Sequence, residues 1–239
     1  MKYYKILNKD EKHNGMQYKF GLNVDCKKFN PSGNCNPGGI YFAREDILAF
    51  LGYGHYIREV QLPEDAQVYE NPGSPKKWKA DKVVLGKKRK ITAKIVQKLI
   101  NEGVDVHAGN DEALRWAAAN GHLAVVKILL ENGADVHAGN DEALRWAAEN
   151  GYLAVVKILL ENGADVHAWN DSALRWAAEN GHLEVVKILL ENGANAHVDD
   201  DGALHGATRN GHLEVVKLLK EYIGKDNKID KHLDMHLKN

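Results

Sequence analysis

The chain has 239 residues, 44% of them hydrophobic and 27% charged, with a formal net charge of −1. This is ordinary globular usage with room for one large or two modest domains, and it excludes wholesale disorder. A charge so near zero gives no global field toward nucleic acid or anionic lipid. The opening MKYYKILNKDEK lacks the apolar stretch of a signal peptide, and no run of about 18 apolar residues offers a membrane span. An intracellular, reducing location is expected. Cys26 and Cys35 cannot staple so long a chain, and without further ligands at suitable spacing they make a poor zinc site.

Residues 1–90 carry aromatic and β-branched runs punctuated by Gly, Pro and Asn. Residues 2–7, 39–43, 56–62 and 82–85 read as strands, and residues 45–51 as a helix between two of them. Asn30-Pro31-Ser32-Gly33-Asn34 and Asn71-Pro72-Gly73-Ser74-Pro75 read as loops. A compact α+β domain is predicted. Its end is basic, with Lys76, Lys77, Lys79, Lys82 and the run Lys87-Lys88-Arg89-Lys90. That run has the composition of a nuclear-import cluster, but such clusters are common by chance and a solvated connector is the favoured reading.

From residue 91 the chain repeats itself. HAGNDEALRWAAANGHLAVVKILLENGADV, starting at His107, recurs from His137 with Ala119 answered by Glu149 and His122 by Tyr152. A close copy starts at His167 and a decaying one at His197, while IVQKLINEGVDV upstream matches only the second half of the unit. The predicted organisation is a half repeat at 91–106, then units 107–136, 137–166, 167–196 and 197–226, and a tail at 227–239. Each unit reads as two helices. The first opens on Asn110-Asp111, whose side chains suit a helix cap. It carries Leu114, Ala117 and Ala118 on one face and stops at Asn120-Gly121. The second buries Val125, Val126, Leu129 and Leu130 and ends at Gly133, after which residues 134–138 should run extended to the next unit. Helices this short need neighbours to cover their apolar faces.

The phrases NGHLEVVKILLENGAN and NGHLAVVKILLENGADVHA resemble the ankyrin family over roughly residues 90–226. The resemblance implies an all-α solenoid behind the α+β domain, and a protein–protein interaction surface along the concave face of fingers and first helices. The period here is about 30, against about 33 in the family. The shortfall lies between Ala108 and Leu114, so short hairpin fingers are expected. Arg115, Arg145 and Arg175 stand where the family has a histidine, which only Ala203-Leu204-His205 retains. The turn therefore loses the family's histidine hydrogen bond. The half repeat lacks a first helix, so the α+β domain is expected to cap it. At the far end Lys220 answers Leu190 and Ile223 answers Gly193, predicting a longer terminal helix with a polar face. Ile229, Leu233 and Leu237 fall four apart, as in a short covering helix.

Two further resemblances concern residues 1–90. His13-Asn14-Gly15, Gln17-Tyr18, the run from Cys35 to Phe42 and Lys79-Ala80-Asp81-Lys82 resemble the domain preceding ankyrin arrays in giant DNA viruses of the mimivirus type. The short period is similar to those proteins too. This implies a viral protein acting in the host cytoplasm, or in the nucleus if the basic run is read there. Gly39-Ile40-Tyr41-Phe42-Ala43, with Ile57-Arg58-Glu59-Val60 after it, resembles the central segment of ADP-ribosyltransferases. That family needs a His or Arg on its first strand and a late Glu. Here the strand offers Lys5, His13 falls in a predicted loop, and no late Glu is suitably placed. The expectation is a non-catalytic adaptor without cofactor; the alternative is a degenerate transferase-like or other ligand-binding N-terminal domain.

Twelve histidines invite a metal reading. However, His107, His137, His167 and His197 are equivalent residues in layers about 8–10 Å apart, too far to share an ion. His122, His182 and His212 occupy a loop position suited to satisfying backbone groups. The candidate partner-binding residues are Arg115, Trp116, Arg145, Trp146, Trp169, Arg175, Trp176, Glu112 and Glu142. Trp and Arg are enriched among interface hot spots, although the Trp116, Trp146 and Trp176 ladder could equally pack between units. Trp169 replaces Gly109 and Gly139 and is the best exposed anchor. Glu112 and Glu142, with Asp111, Asp141 and Asp171, read as a solvated acidic rim. A monomer with a host or viral protein partner is expected, without membrane or nucleic acid.

Overall fold

The computed structural model describes residues 2–31, 38–71 and 73–236, of which 225–236 are described as backbone. Residues 32–37, Cys35 and most of the first expected loop among them, Pro72 and Leu237 lie outside the described residues; Cys26 is free and exposed. Two compact units are present, Met1–Trp116 with Lys127–Asp135, and Ala117–Val126 with Val136–Asn239.

In the first unit the strands are β1 (Tyr3–Leu7), β2 (Lys12–His13), β3 (Met16–Gln17), β4 (Gly21–Val24), β5 (Ile40–Phe42), β6 (Tyr56–Gln61), β7 (Val68–Asn71), β8 (Lys77–Ala80), β9 (Lys82–Leu85) and β10 (Arg89–Lys90). One antiparallel sheet runs β1-β6-β9-β4, with β10 also on β6; a second runs β5-β8-β7. Leu7, Ile40, Phe42, Val60, Trp78 and Leu85 pack the core of this unit. Residues 45–51, expected to be helical, hold a 3-10 helix that starts later, Ile47–Tyr53, with Ile47, Leu48 and Leu51 fully buried.

The sequence reading missed β2, β3, β4, β7, β8 and β10, which are very short or have an inverted or charged alternation. On β4 the apolar Leu22 and Val24 are exposed, while Asn23 is buried. The Asn23 amide donates to Lys19 O and Gly21 O, and its oxygen accepts from Lys19 N–H. The basic segment is a solvated connector only in part: Lys76, Lys87, Lys88 and Lys90 are exposed. Lys79 is fully buried on β8, Lys82 pairs with Asp65, Lys88 with Glu11, and Arg89 with Glu59. His13 sits in the β2–β3 hairpin opposite Met16, not in an open loop.

The same unit contains α1 (Ala93–Asn101), capped by Thr92 Oγ1 accepting from Ile95 N–H, and the start of α2 (Ala108–Ala119). Tyr4 Oη donates to Glu102, and Asp105 N–H donates to Glu45 O at 2.9 Å. Ala49 and Pro75 lie against Gly109, and Trp116 lies against Gly52. Tyr4 of β1 thus reaches the end of α1, while the 3-10 helix and Pro75 touch α2.

The repeats continue as α3 (Leu123–Glu131), α4 (Ala138–Glu149), α5 (Leu153–Glu161), α6 (Ala168–Glu179), α7 (Leu183–Glu191), α8 (Val198–Arg209) and α9 (Leu213–His236). The apolar stripes are buried as spaced: Leu144, Ala147 and Ala148 on α4, and Val155, Val156 and Leu159 on α5. Burying one such Leu or Val contributes about 2 kcal/mol, which is how helices of two to three turns persist. The terminal helix is the long one, and Lys217, Lys220 and Glu221 on it are exposed.

Candidate functional site

The expected hairpin fingers are replaced by something tighter. Gly139 (φ 66°), Asn140 (φ 57°) and Asp141 (φ 55°) form one left-handed turn ahead of the regular part of α4. Gly109-Asn110-Asp111, Trp169-Asn170-Asp171 and Asp199-Asp200-Asp201 repeat it. Residues 134–138 accordingly do not run extended; Val136 and His137 form a turn. Gly, Asn and Asp are the residues that tolerate this backbone, the last two through local hydrogen bonding. The turn explains the short period, since it replaces two strands with a single coil.

Arginine, not histidine, fixes the turn. Arg145 Nε donates to Asn140 O at 3.1 Å and its Nη2 to Gly139 O at 3.0 Å. Arg115 makes the same pair to Asn110 O and Gly109 O, and Arg175 to Asn170 O and Trp169 O. The planar fork reaches two adjacent carbonyls, a geometry that lysine cannot copy.

The aspartates correct the rim reading. Asp111, Asp141 and Asp171 are only 4%, 4% and 3% exposed. Instead of capping its own helix, Asp141 accepts from His137 Nδ1 at 3.1 Å and from Asp165 N–H at 2.8 Å. Asp111 does the same with His107 and Asp135, and Asp171 with His167 and Asn195. Each carboxylate ties its turn to the segment 24 residues on. Glu112, by contrast, is partly exposed and pairs with Arg115; Glu142 is half-buried.

The loop histidines bond as their position suggested. His182 Nε2 donates to Glu149 O at 2.9 Å, and His212 Nε2 to Glu179 O at 3.0 Å. These rings lie on Gly151 and Gly181, where a Cβ would come within 2.5 and 2.4 Å of them.

In the second unit the candidate residues gather around one exposed side chain. Trp169 is 61% exposed and holds the left-handed conformation at φ 55°. The Arg145 guanidinium, itself 5% exposed, lies over the Trp169 ring at 4.8 Å and over the Trp176 ring at 5.7 Å. A cation over a partly desolvated indole contributes about 1 kcal/mol, and here it holds the exposed ring in place. Arg175 reaches Asp199 of the next turn at 2.8 Å. Trp146 and Trp176 are half-buried, so their rings serve both packing and surface. In the first unit Trp116 is also half-buried.

The sequence reading passed over the buried aspartate ladder, although the recurring His-x-x-x-Asp spacing signals it. It also passed over a cavity beside Lys5, signalled by a lysine inside the apolar strand YYKIL. Among the described residues, no group of three or more His, Cys, Asp and Glu could hold a metal ion, and no helix is long and apolar enough to cross a membrane.

Comparison with known proteins matches residues 88–170 and 167–231 to the family model "Ankyrin repeats (3 copies)". The chain is 39% identical to ankyrin repeat protein R868 of Acanthamoeba polyphaga mimivirus over 132 residues, 53% of this chain and 65% of that one. It is 42% identical to ankyrin repeat protein R229 of the same virus over 118 residues, 46% of this chain and 38% of that one. Uncharacterized protein R869, also of that virus, is 38% identical over 129 residues, 52% of this chain and 94% of that one. The chain spans less than two thirds of the length of R868 and R229.

Proposed function

Because the chain belongs to the ankyrin-repeat family, we propose that it is a non-catalytic viral adaptor that binds a protein partner in the host cell. The binding surface is the concave face of left-handed turns and first helices, and Trp169 is its anchor. One observation carries this reading. A bulky side chain occupies a strained backbone position that glycine fills in two sister repeats, and the ring is held out to solvent. Strain of this kind persists where something beyond folding needs it.

Trp169→Gly restores the residue of the sister turns and is the clean test. Partner capture from host cells by the full chain should fall at least about 10-fold, the loss typical of a tryptophan hot spot, with helicity by circular dichroism unchanged. Undiminished capture by this variant would remove Trp169 from the interface. The alternative, in which near-identical repeats merely space two binding ends, predicts intact capture after scrambling the exposed residues of units 137–166 and 167–196. Arg145→Ala is a poorer probe, because that side chain also holds its own turn.

A further inference from the structure

Strand β1 has β6 on one edge. Its other edge meets β5 at a single bridge, where Tyr4 N–H donates to Ala43 O at 2.8 Å and Ala43 N–H to Tyr4 O at 2.9 Å. Beside that bridge lies a cavity of about 130 Å3. Tyr41 and Phe42 of β5 line it together with Phe50 and Tyr53 of the 3-10 helix. Its titratable lining groups besides tyrosines are Lys5, Lys12, His13 and Lys77, all basic, with no carboxylate.

Size and lining each restrict the ligand. An apolar cavity of about 150 Å3 takes up benzene, so at about 130 Å3 this one holds a single six-membered ring and nothing larger, with any substituent at its polar edge. Aromatic walls favour a flat ring. The uniformly basic lining selects for negative charge. Lys5 is 5% exposed; its Nζ donates to Tyr41 O at 2.8 Å and lies 4.5 Å over the Tyr18 ring. An ammonium has three donors, so one is left for a ligand. Facing Lys5 are His13, Tyr18 and Tyr41, and Lys77 and Lys79 lie over the Tyr41 ring at 5.5 and 5.1 Å. We propose that this cavity binds a monocyclic aromatic carboxylate, its ring among Tyr41, Phe50 and Tyr53 and its carboxylate on the Lys5 ammonium.

Electrostatics supports the geometry. Burial pushes the Lys5 pKa down to about 7. Burial, and then the Lys5 charge, lower that of His13. An anion in the cavity favours the charged form of Lys5, so binding takes up a proton near neutral pH and weakens as pH rises. The site is separate from Trp169 and stands or falls without it.

Titration calorimetry of the full chain with benzoate, and with benzamide as the neutral ring of equal size, tests the proposal. At pH 6.5 benzoate should bind at least about 10-fold tighter than benzamide. Its affinity should fall about 20-fold by pH 8.5, as expected if the bound lysine returns to its ordinary pKa. Lys5→Met, checked for folding by circular dichroism, should abolish benzoate binding. Lys5→Arg, permanently charged, should retain it with a flat pH profile. Absence of benzoate binding, benzamide binding as tightly as benzoate, or Lys5→Met binding normally would overturn the proposal. Should Lys5→Met not fold, a Lys5→Arg protein with the wild-type pH profile would overturn it as well.

Discussion

A tryptophan held at φ 55° carries a conformational cost of about 1 kcal/mol that glycine in the same slot escapes. Trp169→Gly removes that cost but also the Arg145 stacking, and adds chain freedom to the unfolded state. The three effects nearly cancel, so urea unfolding should show a stability change within about 1 kcal/mol. Arg145→Ala is different: two carbonyls of a tight turn lose a charged donor, and the expected loss is about 2–3 kcal/mol in the same assay. The exposure of Trp169 was legible from the sequence, because it breaks the glycine pattern of the sister repeats. The double duty of Arg145 was not, since a residue five positions beyond Asn140 is read as helix surface until the left-handed coil swings the carbonyls toward it.

Among the elements, the turn is the part that periodicity could not supply. Three successive positive φ values leave no hydrophobic signature, and Asn-Asp before an apolar run is also what a helix cap looks like. The buried carboxylate that follows makes Asp141→Ala costly, about 2–3 kcal/mol by urea unfolding, with Asp141→Asn less so because it still accepts the Asp165 N–H. Glycines separate two causes of strain. Gly151→Ala meets both a left-handed backbone and the His182 ring, and should cost at least about 2 kcal/mol. Gly163→Ala meets open space at φ 89° and should cost about 1 kcal/mol. Equal losses in the two variants would show that backbone conformation alone matters. In the sheets, Glu11 is buried against Arg58 at 2.9 Å and Lys88 at 3.0 Å. Burial alone would raise its pKa, but the hydrogen bonds and charges of Arg58 and Lys88 outweigh this and hold it below the usual range. Its stabilising contribution is therefore present above the unfolded value of about 4.3 and is lost as pH falls through the folded one. Glu11→Gln should lower stability at pH 7 by up to about 3 kcal/mol and flatten the acid limb of the pH–stability curve.

For the molecule as a whole, legibility followed repetition. Four copies of one pattern allowed the buried stripes of the repeat helices, such as Leu144, Ala147 and Ala148 or Val155, Val156 and Leu159, to be read from spacing, because each copy tests the others, whereas buried Ala134 and Val136 in the connecting turn were not read. The sheets offered no such redundancy, and strands of two to four residues with Asn23 or Lys79 turned inward defeat a rule that places apolar residues inside. Repeat arrays gain stability from nearest neighbours, and among the described residues the last unit has a repeat on one side only. Its outward positions have decayed to match: Gly206 stands where Trp176 was, and Thr208, where Ala178 was, is exposed. Native-state hydrogen exchange should accordingly show α8 opening at least about 2 kcal/mol more easily than α4 and α6. Equal protection would mean that the long α9 replaces the missing neighbour in full.

The first slot of the left-handed coil holds Gly, Gly, Trp and Asp at positions 109, 139, 169 and 199. The residues that secure the coil lie elsewhere, so this slot can change by a single codon without altering length, register or the next unit. If the proposed surface binds a partner, a lineage of such proteins can be retargeted without being refolded. The brake on that freedom is thermodynamic: each non-glycine occupant subtracts about 1 kcal/mol from a stability of about 5–15 kcal/mol, which favours a few occupied slots over many.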